Sequence, residues 1–125
     1  DEADRHRDFY DEYMAVLDMD ADYYMETMER VFLDQQLPKG TMTYHGEPVS
    51  CSDIKDVAVF TLEGEKDDMI SLGQTEAALH LCDKLPKKLK KHHVQLEVGH
   101  YGIFNGSKYR KFVAPLIKEW IDGHN

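Results

Sequence analysis

Apolar side chains early in the chain recur at helical spacing. Phe9, Tyr13 and Leu17 stand four residues apart, and Tyr10 and Met14 widen the stripe. This is the pattern of an amphipathic helix, and Asp8 can cap its start. The acidic stretch at residues 18–22 breaks the pattern. A second helix is predicted from about Ala21, capped by Asp20. Tyr24, Met28, Val31 and Phe32 share one face, and Glu26 and Arg30 form an i,i+4 pair. Helical periodicity accounts for Phe9, Tyr13, Tyr24, Met28 and Phe32 as packing residues. The chain must leave the helix before Pro38, because proline crowds the residue ahead of it, and Gly40 adds a further break. Residues 41–44 alternate like a short strand. His45-Gly46-Glu47-Pro48 is turn chemistry, and Val49 can open a partner strand.

From residue 57 the pattern changes. Val57-Ala58-Val59-Phe60-Thr61-Leu62 is a continuous apolar run, which predicts a strand covered on both faces. The acidic loop Glu63-Gly64-Glu65-Lys66-Asp67-Asp68 follows directly. Ser71 and Gln74 form an S-x-x-Q capping box. The helix it opens carries Ala77, Ala78, Leu81 and Cys82 and ends near Leu85-Pro86. Val94-Gln95-Leu96-Glu97-Val98 is a second strand. Residues 99–106 form a glycine-bracketed loop, and Ser107 caps a last helix with Phe112, Val113, Leu116, Ile117, Trp120 and Ile121 inward. Pro115 predicts a kink within it. Residues 57–98 thus read as a βαβ unit with parallel strands and a right-handed crossover.

Composition adds bounds. The chain has 125 residues, of which 42% are apolar and 31% charged, which fits one globular domain. No apolar stretch approaches the ~20 residues of a membrane span, and no secretory signal is visible. Residues 1–34 hold 12 acidic and 3 basic side chains, so the entire net charge of −9 falls there. An acidic surface repels phosphate backbones, which argues against nucleic acid as a partner. The basic run Lys84, Lys87, Lys88, Lys90, Lys91, His92 and His93 reads as a solvated loop entering a strand rather than an anion site. Cys51 and Cys82 match no zinc or redox spacing and read as reduced thiols. His80 with Cys82, or His92 and His93 with His100, could be drawn as ligands, but no pair has the spacing of a known metal site. No metal and no cofactor is expected.

In open α/β sheets, sites lie beyond the carboxyl ends of the strands. The loops at those ends, 63–70 and 99–106, hold Asp67 and His100. A carboxylate there can fix a histidine tautomer and stabilise the imidazolium, leaving the other ring nitrogen to take a proton from a nucleophile. Gly64 allows a tight turn before Asp67, and Gly99 and Gly102 leave space around His100. Asp67 could instead cap its loop, with Asp68 as the acid, and a histidine between glycines could be a turn residue. Acid before histidine, one crossover helix apart, is the order of α/β-hydrolases. No Ser or Cys of the chain sits in a Gly-x-Ser-x-Gly or Gly-x-Cys-x-Gly elbow, and no oxyanion-hole loop is evident. The expectation is therefore an α/β fold. It is the C-terminal part of an α/β-hydrolase, a βαβ unit plus C-terminal helix preceded by cap-like helices. Nucleophile, oxyanion donors and most strands are expected upstream of Asp1.

Several segments resemble the C-terminal region of intracellular polyhydroxyalkanoate depolymerases. They are Asp8-Phe9-Tyr10-Asp11-Glu12-Tyr13-Met14, Leu37-Pro38-Lys39-Gly40-Thr41-Met42, Glu63-Gly64-Glu65-Lys66-Asp67-Asp68, Gly73-Gln74-Thr75, and Gly99-His100-Tyr101-Gly102-Ile103-Phe104-Asn105-Gly106. The resemblance runs from about Asp8 to Gly123. It implies hydrolysis of stored poly-3-hydroxybutyrate by a Ser or Cys nucleophile, with Asp67 as triad acid and His100 as base. It implies a helical cap over the site, so that residues 1–50 form a cap-like segment with a short hairpin and 51–125 the core portion. It also implies a cytoplasmic location on polymer granules. The apolar residues of the first helices would then either pack, line an acyl cleft or touch the polymer surface. Polyhydroxyalkanoate synthase, with a Cys-Asp-His site of similar order, is the nearest rival reading. A non-catalytic granule-binding or dimerising module is another, since a truncated parallel sheet leaves an open edge that invites a second copy.

Overall fold

The structure, a computed structural model, describes residues 2–124. The chain divides into two units, residues 1–39 and 40–125.

In the first unit the aromatic stripe forms α1 (Glu2–Tyr13). Phe9 stacks on Tyr13 one turn later, with ring centroids 6.0 Å apart. The helix stops at Tyr13, so Leu17 lies outside it, contrary to the four-residue spacing. Asp20 leaves helical backbone angles to accept the Tyr23 amide on Oδ1 at 3.0 Å, capping α2 (Ala21–Thr27) as expected. The helix runs on into a π turn, Met28–Leu33. Arg30 bonds Glu26 at 2.5 Å and Gln36 at 2.9 Å. The break before Pro38 falls at Gln35, whose φ is +53°. Pro38 then sits inside the short α3 (Gln36–Lys39), where its missing N–H is no loss. No described residue of this unit is buried. Phe9, Tyr24 and Phe32 are 42%, 52% and 63% exposed. The packing that periodicity predicted for them is not made within the unit.

The second unit opens with a hairpin, β1 (Thr43–Tyr44) against β2 (Glu47–Pro48). His45 and Gly46 both take positive φ, +48° and +82°, the backbone of a tight I′-type turn. The βαβ unit follows: β3 (Val59–Gly64), α4 (Glu76–Leu81) and β4 (Lys90–Gln95). The strands are parallel, in register from Val59 opposite Lys90 to Gly64 opposite Gln95. Both are displaced from the expected positions. β3 extends through Glu63 and Gly64, and β4 begins four residues early and excludes Leu96, Glu97 and Val98. The basic run therefore supplies strand rather than only a loop before it. Its side chains find partners: Lys90 Nζ donates to the Leu79 carbonyl at 2.7 Å, Lys91 lies over the Phe60 and Trp120 rings, and His92 meets Thr61.

The core of this unit is Leu79, Cys82, Leu85, Val98, Ile103 and Val113. The last helical run passes from α5 (Gly106–Lys108) through a π turn, Tyr109–Val113, into α6 (Ala114–Asp122). The wide turn lies just before Pro115, where the ring cannot coexist with a regular α turn. The expected kink is thus a π bulge. Trp120 of α6 meets Phe60 of β3 at 6.1 Å between centroids. Among the described residues the sheet has two strands, and Val57 to Leu62 are exposed or half-buried, so the double covering implied by the apolar run is incomplete there. The architecture is mixed helix and small sheets, an α/β arrangement. No helix of the described residues is long and apolar enough to cross a membrane.

Candidate active site

Two loops leave the carboxyl ends of β3 and β4 side by side. Three backbone hydrogen bonds shape and join them: Glu65 N to Gln95 O at 3.0 Å, Lys66 N to Val98 O at 2.9 Å and Asp67 N to Gly64 O at 3.2 Å. The approach is close enough to require glycine. A Cβ on Gly64 would lie 2.8 Å from the Val98 carbonyl oxygen, and one on Gly102 would lie 2.6 Å from the Val98 side chain. Between the loops Glu97 takes a φ of +59°, unusual for a residue with a side chain. Its amide donates to Glu65 at 2.8 Å, its carboxylate pairs with Lys66 at 2.5 Å, and its carbonyl accepts from Lys108 at 2.8 Å.

This framework brings Asp67 and His100 together. Nδ1 of His100 stands 2.9 Å from Oδ2 of Asp67. The Asp67 side chain is 2% exposed and the His100 side chain 29%. Oδ1 of Asp67 accepts the Met69 and Ile70 amides, each at 2.9 Å, so one oxygen is anchored and the other is aimed at the ring. Burial pushes the Asp67 carboxyl up. The Ile70 amide, the His100 ring and the Met69 amide outweigh that and hold it below the usual carboxylate range. Asp68, the alternative acid, is exposed and takes no part in this bond. Phe104 and Tyr101 flank the imidazole edge-on, at 5.8 and 5.7 Å. A carboxylate fixed on Nδ1 keeps the proton there and leaves Nε2 as the proton acceptor. Among the described residues no hydroxyl or thiol hydrogen-bonds this ring. Ser52 is bonded to Asp83 at 2.6 Å, and both cysteines are free, Cys82 buried and Cys51 partly so.

Of the other histidines drawn as ligands, His80 is exposed, and His92 and His93 are engaged elsewhere. His92 Nδ1 is 2.9 Å from Thr61 Oγ1, and His93 Nε2 is 3.3 Å from Gln95 Oε1. Among the described residues no group of three or more His, Cys, Asp and Glu is placed to hold a metal ion.

Sequence reasoning passed over Glu63. It is 1% exposed, yet its carboxylate accepts the Gly73 amide at 2.7 Å, the Thr75 amide at 2.7 Å, the Thr75 hydroxyl at 2.9 Å and the Glu76 amide at 3.3 Å. Burial pushes this carboxyl up, and those donors bring it below its usual value. Glu63, and not the expected Ser71–Gln74 box, therefore caps α4. The available signal was an acid ending an apolar strand, ten to thirteen residues ahead of amides that need an acceptor.

No curated protein and no solved structure matches the chain. A family model described as PHB de-polymerase C-terminus matches residues 1–125. With that match over its whole length, the chain belongs to the PHB de-polymerase C-terminus family.

Proposed function

We propose that this region is the C-terminal part of an α/β-hydrolase that cleaves the ester bonds of poly-3-hydroxybutyrate. Asp67 and His100 act as acid and base of a triad whose nucleophile comes from polypeptide outside these residues. The observation that carries the reading is the 2.9 Å bond between a buried, doubly anchored carboxylate and a partly open imidazole at the carboxyl end of a parallel sheet. Family membership supports the substrate class. The incompletely covered strand β3 supports a larger sheet around the site.

In this mechanism Nε2 of His100 takes the proton of a Ser or Cys nucleophile as it attacks the polyester carbonyl. The imidazolium, held by Asp67, then protonates the ester's alkoxide oxygen as it leaves as an alcohol, and water repeats the cycle on the acyl-enzyme. The enzyme works at the surface of cytoplasmic polymer granules. The test is release of 3-hydroxybutyrate from amorphous polymer by the full-length protein and its His100→Ala variant. Loss of release in the variant is expected. Polymerisation from a hydroxyacyl coenzyme A thioester would assign the synthase chemistry instead, and granule binding without chemistry would leave only a binding module.

A further inference from the structure

We infer that Glu63 is a positioning residue for Asp67: by closing the loop that carries the acid, it sets the direction of the bond to His100. The inference rests on the acid–base reading above. Residues 65–75 connect β3 to α4 and contain Asp67. The first end of this loop is tied by the Glu65 amide to the last residue of β4, Gln95, and by the Lys66 amide to Val98 ahead of His100. The far end has a different anchor. The Glu63 carboxylate reaches across the base of the loop to the amides of Gly73, Thr75 and Glu76 and to the Thr75 hydroxyl. Four donors on one carboxylate close residues 63 to 76 into a ring.

That ring needs the carboxylate. α4 has only six residues, too few to hold its own first turn in water. Without Glu63 its leading amides would lose their acceptor. Met69 and Ile70, whose amides fix Oδ1 of Asp67, lie within the same ring. Freeing its far end releases them, and Oδ2 loses its aim at Nδ1. On β4, His92 faces Glu63, with Nε2 3.7 Å from Oε2, and is itself held by Thr61. The clamp is therefore backed by the neighbouring strand.

Glu63→Gln in the full-length protein is the test. The amide oxygen can keep the place of Oε1 and its three donors, so the fold is retained. The amide nitrogen then faces the Gly73 N–H, donor against donor. The expected result is a fall in kcat on the order of a hundredfold, with KM little changed. The midpoint of the kcat/KM–pH profile should move, because Oδ2 of Asp67 no longer holds its bond to the ring. The downfield Nδ1 proton resonance of His100 should broaden or vanish. Glu63→Ala should do more of the same. An unchanged pH midpoint and an intact Nδ1 resonance in Glu63→Gln, with only the melting temperature lowered, would overturn the inference and leave Glu63 a helix cap. His100→Ala in the same assay separates the two claims. If that variant stays active, the acid–base reading has failed; if it is inactive while Glu63→Gln is unaffected, only the positioning role has failed.

Discussion

Asp67→Asn is the substitution whose consequence follows most completely from the geometry. Two backbone amides point at Oδ1 of Asp67 from 2.9 Å. The asparagine oxygen must take that place, which leaves its NH2 group against Nδ1 of His100. Nδ1 now faces a donor, so the ring proton moves to Nε2. An Nε2 that already carries a proton cannot accept one from the nucleophile. Turnover should fall on the order of 10⁴-fold, equivalent to about 5 kcal/mol of transition-state stabilisation. Both loop hydrogen bonds survive, so the near-ultraviolet circular dichroism should match the parent. The assay is the initial rate of 3-hydroxybutyrate release from soluble ester oligomers by the full-length protein. Asp68→Asn is the control, because Asp68 is exposed and should change the rate little. A rate for Asp67→Asn within about tenfold of the parent, or a larger loss for Asp68→Asn, would refute the reasoning.

Other consequences are more local. Gly64→Ala places a methyl 2.8 Å from the Val98 carbonyl oxygen. It should cost about 1–3 kcal/mol, as overpacking does, and depress turnover by shifting the Asp67 loop, measured by chemical denaturation and the oligomer assay. Val113→Ala, at the fully buried last residue of the π turn, should cost about 2 kcal/mol without altering the rate of the folded enzyme. The carboxyls of Asp67 and Glu63 are both held below their usual values. Their contribution to stability is therefore present above the unfolded-state values of about 3.9 and 4.3 and is lost as pH falls through the lower folded-state values. Melting curves taken from neutrality downward should stay level in this respect until about pH 4 and then drop. Glu63→Gln should have a shallower drop, and an equally steep one would count against the bonds described for Glu63.

The meeting of Asp67 and His100 was legible because it depends on short-range chemistry. Asp67 follows a glycine turn after an apolar strand, and His100 stands between glycines after the next; parallel topology then places both at one end of the sheet. Which of Asp67 and Asp68 faces the ring was not legible from spacing, although the family resemblance implied Asp67. The choice is made by the backbone hydrogen bonds of residues 64–67, which have no sequence signature. β4 was misplaced because Lys90, Lys91, His92 and His93 look like a solvated run. Their partners, the Leu79 carbonyl, the Phe60 and Trp120 rings and Thr61, are remote in sequence. Glu63 was missed for the same reason, since its donors lie across a loop. The stripe of Phe9, Tyr24 and Phe32 was read as packing from its period alone. Periodicity states which residues share a face, not whether anything covers it.

The most direct test is the structure of the full-length protein after covalent trapping of its nucleophile by an ester-mimicking inhibitor. The account predicts an adduct on a Ser or Cys outside these residues, with the modified Oγ or Sγ within hydrogen-bond reach of His100 Nε2, about 3 Å, and Asp67 still on Nδ1. An adduct on a side chain remote from His100, or one served by a different histidine, would contradict it.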